Sequence, residues 1–154
     1  MAVGEPVLSP GFPFSSATVK VFVHATEDEA KLRRAIGVFL PPSVSVATAS
    51  LTGHFGNPIK VLSARLNKKQ TQELWSELTE KLVDMHRLRA TLGQRVDSSC
   101  ILYIRLDKQR ACQGELALTE SGDAIHIKLK VVARPAKPEV AVRRVLEFLE
   151  GSSP

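Results

Sequence analysis

The chain is poor in aromatic residues: one tryptophan, one tyrosine and six phenylalanines make up 5% of its 154 residues. So thin a supply argues against a stacking platform as rich as that of a typical single-strand binder. Cysteine is scarcer still. Cys100 and Cys112 are too few for a disulfide framework or a zinc site, and they read as reduced, buried small hydrophobes. No apolar run approaches the roughly 18 residues of a membrane helix. The start of the chain shows no basic stretch followed by an apolar one, so no signal peptide is expected and the expected location is the cytoplasm. The phosphate-loop pattern GxxxxGK[ST] is missing as well.

Cations are plentiful by contrast. Lys and Arg number 21 against 16 Asp and Glu, a net charge of +5, which favours an anionic partner such as nucleic acid. The remaining composition, 44% hydrophobic and 24% charged, suits a soluble globular chain long enough to bury a core of its own. Residues 1–16 are rich in Pro, Gly and Ser without periodicity and read as a flexible tail. Residues 17–151 read as a single domain.

Within that domain the periodicity switches repeatedly. Thr18 to His24 alternates, with Val19, Val21 and Val23 opposite Lys20, Phe22 and His24, as a half-buried strand does. Thr26 and Glu29 form a capping-box pattern before a helix whose buried stripe is Leu32, Ile36 and Phe39; Pro41 and Pro42 end it. Two apolar runs follow, Val44 to Leu51 and Ile59 to Leu66. Asn67 then caps one long helix to about Leu92, with Leu74, Leu78, Leu82, Met85, Leu88 and Leu92 as its seam and Gly93 as its C-cap. Cys100 to Leu106, Gly114 to Leu118 and Ile125 to Val131 read as strands, and Glu139 to Glu150 as a final helix started by Pro138. The order β-α-β-β-α-β-β-β-α predicts an α+β two-layer sandwich, a mostly antiparallel sheet with helices on one face.

Two segments carry more than a turn requires. Gly53-His54-Phe55-Gly56-Asn57-Pro58-Ile59 joins two strands, and its glycines and Asn-Pro step serve the backbone. His54 and Phe55 do not, which suggests docking. Arg105-Leu106-Asp107-Lys108-Gln109-Arg110 with Gly114 supplies three cations after a strand. Asp107 orders the turn, and Lys108, Gln109 and Arg110 are phosphate- or base-capable donors. If the apolar strand faces meet the helices, the other faces collect Lys20, Phe22, His24, Tyr103, Arg105, His126, Lys128 and Lys130. Cations that hold phosphate beside an aromatic that stacks a base suit RNA.

Catalysis finds little support. His24, His54, His86 and His126 are scattered one per element, and His54 has no carboxylate, cysteine or second histidine in its loop. No metal, cofactor or catalytic set is expected.

Taken together, Val23-His24-Ala25-Thr26-Glu27-Asp28, the Gly53 to Ile59 segment and Tyr103-Ile104-Arg105-Leu106-Asp107-Lys108-Gln109 with Gly114 resemble a family of small archaeal RNA-binding proteins assigned to the exosome. The resemblance covers roughly residues 17–150. It implies a fold similar to the large-subunit ribosomal protein that binds 5S RNA, and RNA binding without catalysis. Phe55 stands where that family commonly has tyrosine, which removes one hydroxyl donor. The implied partners are ribosomal RNA or exosome substrate RNA, with exosome or ribosome proteins alongside and no membrane. The candidate contacts, argued from chemistry, are Gly53, His54, Phe55, Asn57, Lys60, Tyr103, Arg105, Lys108, Gln109, Arg110, Lys128 and Lys130. The alternative is a protein-interaction subunit of an RNA-processing complex that touches no RNA. A hydrolase built on His54 ranks below both.

Overall fold

Strand β1 (Phe14–Val23) follows its alternation: Ala17, Val19, Val21 and Val23 are buried, while Thr18 and Lys20 are exposed. It is the centre of a computed structural model that describes residues 11–52 and 56–151. The strand starts earlier than the domain edge expected at residue 17. Phe14 is fully buried against Trp75, with ring centroids 4.8 Å apart, so residues 14–16 belong to the sheet.

The other strands are β2 (Ala47–Thr52), β3 (Pro58–Leu66), β4 (Ile101–Leu106) and β5 (Ile125–Val131). They lie in the order β2-β3-β1-β5-β4, every pair antiparallel. With helices α1 (Glu29–Gly37), α2 (Lys68–Lys81), α3 (Met85–Ala90), α4 (Leu92–Arg95), α5 (Lys108–Cys112) and α6 (Pro138–Gly151), the fold is α+β with an open sheet. The core lies between one sheet face and the helices. Leu62, Ile104, Ile127 and Leu129 from the strands meet Ile36, Leu74, Leu78 and Val145 from the helices, all essentially without solvent contact. Burying each such side chain is worth about 1.5–3 kcal/mol.

Three helix expectations are corrected. The N-cap of α1 is Asp28, whose carboxylate accepts from the Ala30 amide at 2.9 Å, and not Thr26. The Thr26 box does not form: Glu29, the acid that would reach back to the Thr26 amide, binds Arg33 and Lys60 instead. The long helix is broken into α2, α3 and α4. It begins as expected, with Asn67 and Gln70 in a reciprocal capping box. It stops at Leu82, which turns extended (φ −68°, ψ 120°). There Leu82 bridges Leu116, the Val83 amide donates to the Leu116 carbonyl at 3.0 Å, and Asp84 accepts from the Leu118 amide at 3.1 Å. Gly93 consequently sits inside α4 and is not a C-cap.

The segment expected as a strand at Gly114 to Leu118 is reduced to bridges at Leu116 and Leu118. It still covers the outer edge of β4, since the Asp107 amide donates to Ala117 and the Thr119 amide to Arg105. An uncovered edge would leave those backbone groups without protein partners. Residues 108–112 form a helical turn, ordered as expected by Asp107, which accepts from the Arg110 amide at 2.9 Å. Gly114, at φ +84°, lets the chain reverse out of α5. Both cysteines are free, but only Cys100 is buried; Cys112 lies exposed on α5.

Candidate nucleic-acid interface

Among the described residues one face of the sheet carries no helix, and the charge its strands contribute has a single sign. The five strands carry Lys20, Lys60, Arg65, Arg105, Lys128 and Lys130 but no Asp or Glu. Register places these groups in rows. Ser63, Lys20, His126 and Arg105 lie side by side across β3, β1, β5 and β4, and Arg65, Thr18, Lys128 and Tyr103 form the next row. Lys130 stands opposite Ile101 and Ser16 in a third. Neighbouring strands lie about 4.8 Å apart, so a row across four strands spans about 14 Å. Lys20 and Arg65 are exposed and have no ionic or hydrogen-bond partner among the described residues.

Two aromatics belong to this face, Phe22 of β1, partly buried and paired with Val61, and Tyr103 of β4. Tyr103 is the one whose side chain has polar partners. The Lys128 ammonium sits 5.6 Å from its ring centroid, a cation–π distance. Its hydroxyl donates to Asp97 Oδ2 at 2.8 Å, which pushes the phenol above its ordinary value. Asp97 in turn is held below the usual carboxylate range by the Ile101 amide first and by Tyr103 second. The ring is thereby fixed at the rim of the face, half-buried.

Of the other sequence candidates, Gly53, His54 and Phe55 lie outside the described residues. Asn57 is exposed just before β3, next to Gly56 at φ +78°. Lys60 belongs to the opposite face, where it pairs with Glu29 of α1 at 2.9 Å. Gln109 and Arg110 are exposed on α5, and Arg110 is paired with Glu115. Lys108 is the clearest departure from an exposed contact, being only 4% exposed. Its ammonium donates to the Phe22 carbonyl at 2.8 Å, to Glu27 Oε1 at 2.8 Å and to Asp123 Oδ1 at 3.0 Å. An ammonium has three protons, and all are used. Burial pushes the Asp123 carboxyl up, but the Lys108 ammonium and His24 outweigh it and hold the group below its ordinary value. Lys108 thus ties α5 to the ends of β1 and β5. The structure brings Tyr103, Arg105, Lys128 and Lys130 together and leaves Lys60 and Lys108 out.

The sequence reading missed a cleft of about 660 Å³ at the β4 rim, lined in part by Arg87, Arg95, Tyr103, Arg105 and Glu120. Val96 and Leu118 both bridge to β4, at Leu102 and Leu106, and so border the cleft at that strand. Arg87 reads only as a polar position on the long helix, and Arg95 and Glu120 fall between the elements expected from sequence. No local pattern links them. Among the described residues there is no group of three or more His, Cys, Asp or Glu placed to hold a metal, and no helix is long and apolar enough to cross a membrane.

Residues 16–131 match a family model described as RNA binding. An RNA-binding protein of Pyrococcus abyssi, PAB1135, is 35% identical over 141 residues, which is 86% of this chain and 92% of that protein. Among solved structures, protein AF2318 from Archaeoglobus fulgidus is 35% identical with a TM-score of 0.79, covering 88% of this chain and 99% of its own. Mth689 from Methanothermobacter thermautotrophicus is likewise 35% identical, with a TM-score of 0.77 over 90% of this chain and 99% of its own.

Proposed function

The chain belongs to this RNA-binding family, and from that premise we propose that it binds RNA through the open face of its sheet, without catalysing a reaction. The observation that carries the reading is the segregation of charge: the strands contribute cations to that face and no carboxylate. Phosphate contacts supply most of the affinity of such a surface and little of its sequence preference. Lys20, Arg65, Lys128, Lys130 and Arg105 fill that role. Tyr103 offers a ring edge, and a face once Lys128 moves to a phosphate, on which one unpaired base can stack. With only Tyr103 and the partly buried Phe22 as rings on the face, the preference is for backbone and shape over sequence.

The RNA is taken to be ribosomal RNA or exosome substrate RNA, as the family resemblance suggests, with exosome or ribosome proteins nearby. Crosslinking in cell extract tests both levels at once. Crosslinked peptides should come from β1, β4 and β5, and the bound RNA should be enriched in those species. Crosslinks confined to the helical layer would overturn the assignment of the face.

The protein-interaction reading is favoured by one feature. Every residue of β2 is exposed, Leu51 to 49%, and the strand has no partner on its outer side among the described residues. Such an edge can accept another strand. Association with protein partners that survives nuclease treatment, together with no RNA crosslink, is the outcome that reading requires.

A further inference from the structure

The β4-rim cleft holds an arrangement that the open face does not use. Glu120 is surrounded by three guanidinium groups. Arg87 Nη2 lies 2.6 Å from its Oε2 and Arg95 Nη2 3.9 Å from the same oxygen, while Arg105 Nη1 donates to its backbone carbonyl at 3.3 Å. Arg95 and Arg87 each have a second partner apart from that carboxylate. The Arg95 side chain is only 12% exposed, and its Nε donates to Thr91 Oγ1 at 2.7 Å. Arg87 lies 3.9 Å from Asp84. Asp97, the other acid of the cleft wall, is committed to Tyr103 and to the amides of Ser99 and Ile101. Glu120 itself has a side chain 73% exposed. Two guanidiniums, one of them largely desolvated, thus meet the exposed Glu120 carboxylate, with a third on its backbone carbonyl, in a cleft of about 660 Å³.

We propose that this cleft binds a phosphate group of RNA, and that the Glu120 carboxylate occupies the phosphate position until RNA displaces it. Arginine forks match phosphate geometry as well as they match carboxylate. An exposed ion pair is worth little, so Glu120 is cheap to displace. Once it leaves, Arg87 and Arg95 face the incoming phosphate, with Asp84 3.9 Å from Arg87 and Arg105 beside them on the Glu120 carbonyl. Tyr103 and Arg105 belong both to the cleft wall and to the open face, so RNA running across the sheet reaches the cleft at the β4 rim. The inference rests on the RNA-binding reading. The phosphate comes either from the RNA backbone or from a chain end, and the chemistry of recognition is the same.

The test pairs two probes with three variants. Titration with inorganic phosphate, followed through the arginine Nε–H resonances, should give a saturable shift at Arg87 and Arg95. Glu120→Gln should tighten it about two- to fivefold, the size expected for removing one exposed competing charge. No saturable shift in either protein would overturn the cleft whatever RNA does. The second probe is single-stranded RNA of about ten nucleotides, unphosphorylated, 5′-phosphorylated or 3′-phosphorylated. Glu120→Gln should strengthen binding and Arg87→Gln, at an exposed position that leaves the buried Arg95 in place, should weaken it. Effects on all three RNAs identify a backbone phosphate; effects on one phosphorylated RNA identify that end. If Lys128→Ala weakens binding while the Glu120 and Arg87 variants match the parent, the cleft assignment falls and the sheet face stands. If the phosphate shifts appear but no RNA binds, the cleft is an anion site and the RNA reading falls.

Discussion

Lys108 sits in a run of three polar residues, Lys108-Gln109-Arg110, that looks from its neighbours like a solvated turn. Its partners are 86, 81 and 15 positions away in the chain, so nothing local marks its burial. Removing the ammonium would leave the Phe22 carbonyl, Glu27 and Asp123 without their shared donor. Lys108→Met should therefore destabilise the fold by about 1–3 kcal/mol, the usual cost of a deprived buried polar group. A lower urea midpoint with RNA affinity of the folded protein preserved is the expected result. A parent-like midpoint combined with lost affinity would return Lys108 to the binding surface. Lys60 makes the same point more mildly, because its pairing with Glu29 depends on how α1 crosses the sheet. Tyr103, Arg105, Lys128 and Lys130 were legible because strand alternation alone fixes which face a side chain takes.

At the scale of elements, cap chemistry was legible where one residue had no competitor. Asn67 and Gln70 cap α2 as read, and Pro138 opens α6. Thr26 lost to Asp28, while Glu29, the acid its box needs, is drawn to Arg33 on its own helix and to Lys60 across the fold. The break at Leu82 was not legible, since the leucine seam continues across it with helical spacing. What stops the helix is the need to clothe the Leu116 to Leu118 backbone along the β4 edge, a demand made by residues more than thirty positions later. The turn into β4 has a different device. Asp97 accepts from the Ser99 and Ile101 amides and from Tyr103, while Cys100 is held at φ +61°. A cysteine in the left-handed region carries no sequence mark. Because the folded pKa of Asp97 is depressed, the unfolded chain takes up its proton first as pH falls. The contribution is whole above about pH 4 and is lost on acidification through the folded value. Asp97→Asn should be less stable than the parent near neutrality, and the gap should narrow toward about pH 3. Urea midpoints at the two pH values check this, and a gap of constant size would contradict it.

For the molecule as a whole, the fold sorts its charges by layer. The carboxylates of the described chain lie in helices and connections, where many pair with neighbouring cations, and the strands keep only cations. The two-layer α+β class and the antiparallel character of the sheet were readable from alternation and element order. The strand order was not, and with it went the knowledge that Lys128 would neighbour Tyr103 or that Arg105 would reach the Glu120 cleft. The first follows from β5 pairing directly with β4 and the second from residues 117–120 running along the outer edge of β4, neither of which side-chain periodicity specifies. The central claim is that the open face holds RNA phosphates, and its most direct test is the salt dependence of affinity for one single-stranded RNA. Each released phosphate contact should flatten the slope of log K against log salt by about 0.7. Arg65→Ala combined with Lys128→Ala should therefore weaken binding and reduce the slope by about 1.4, with the fold intact. Unchanged affinity and an unchanged slope would place the RNA elsewhere on the molecule.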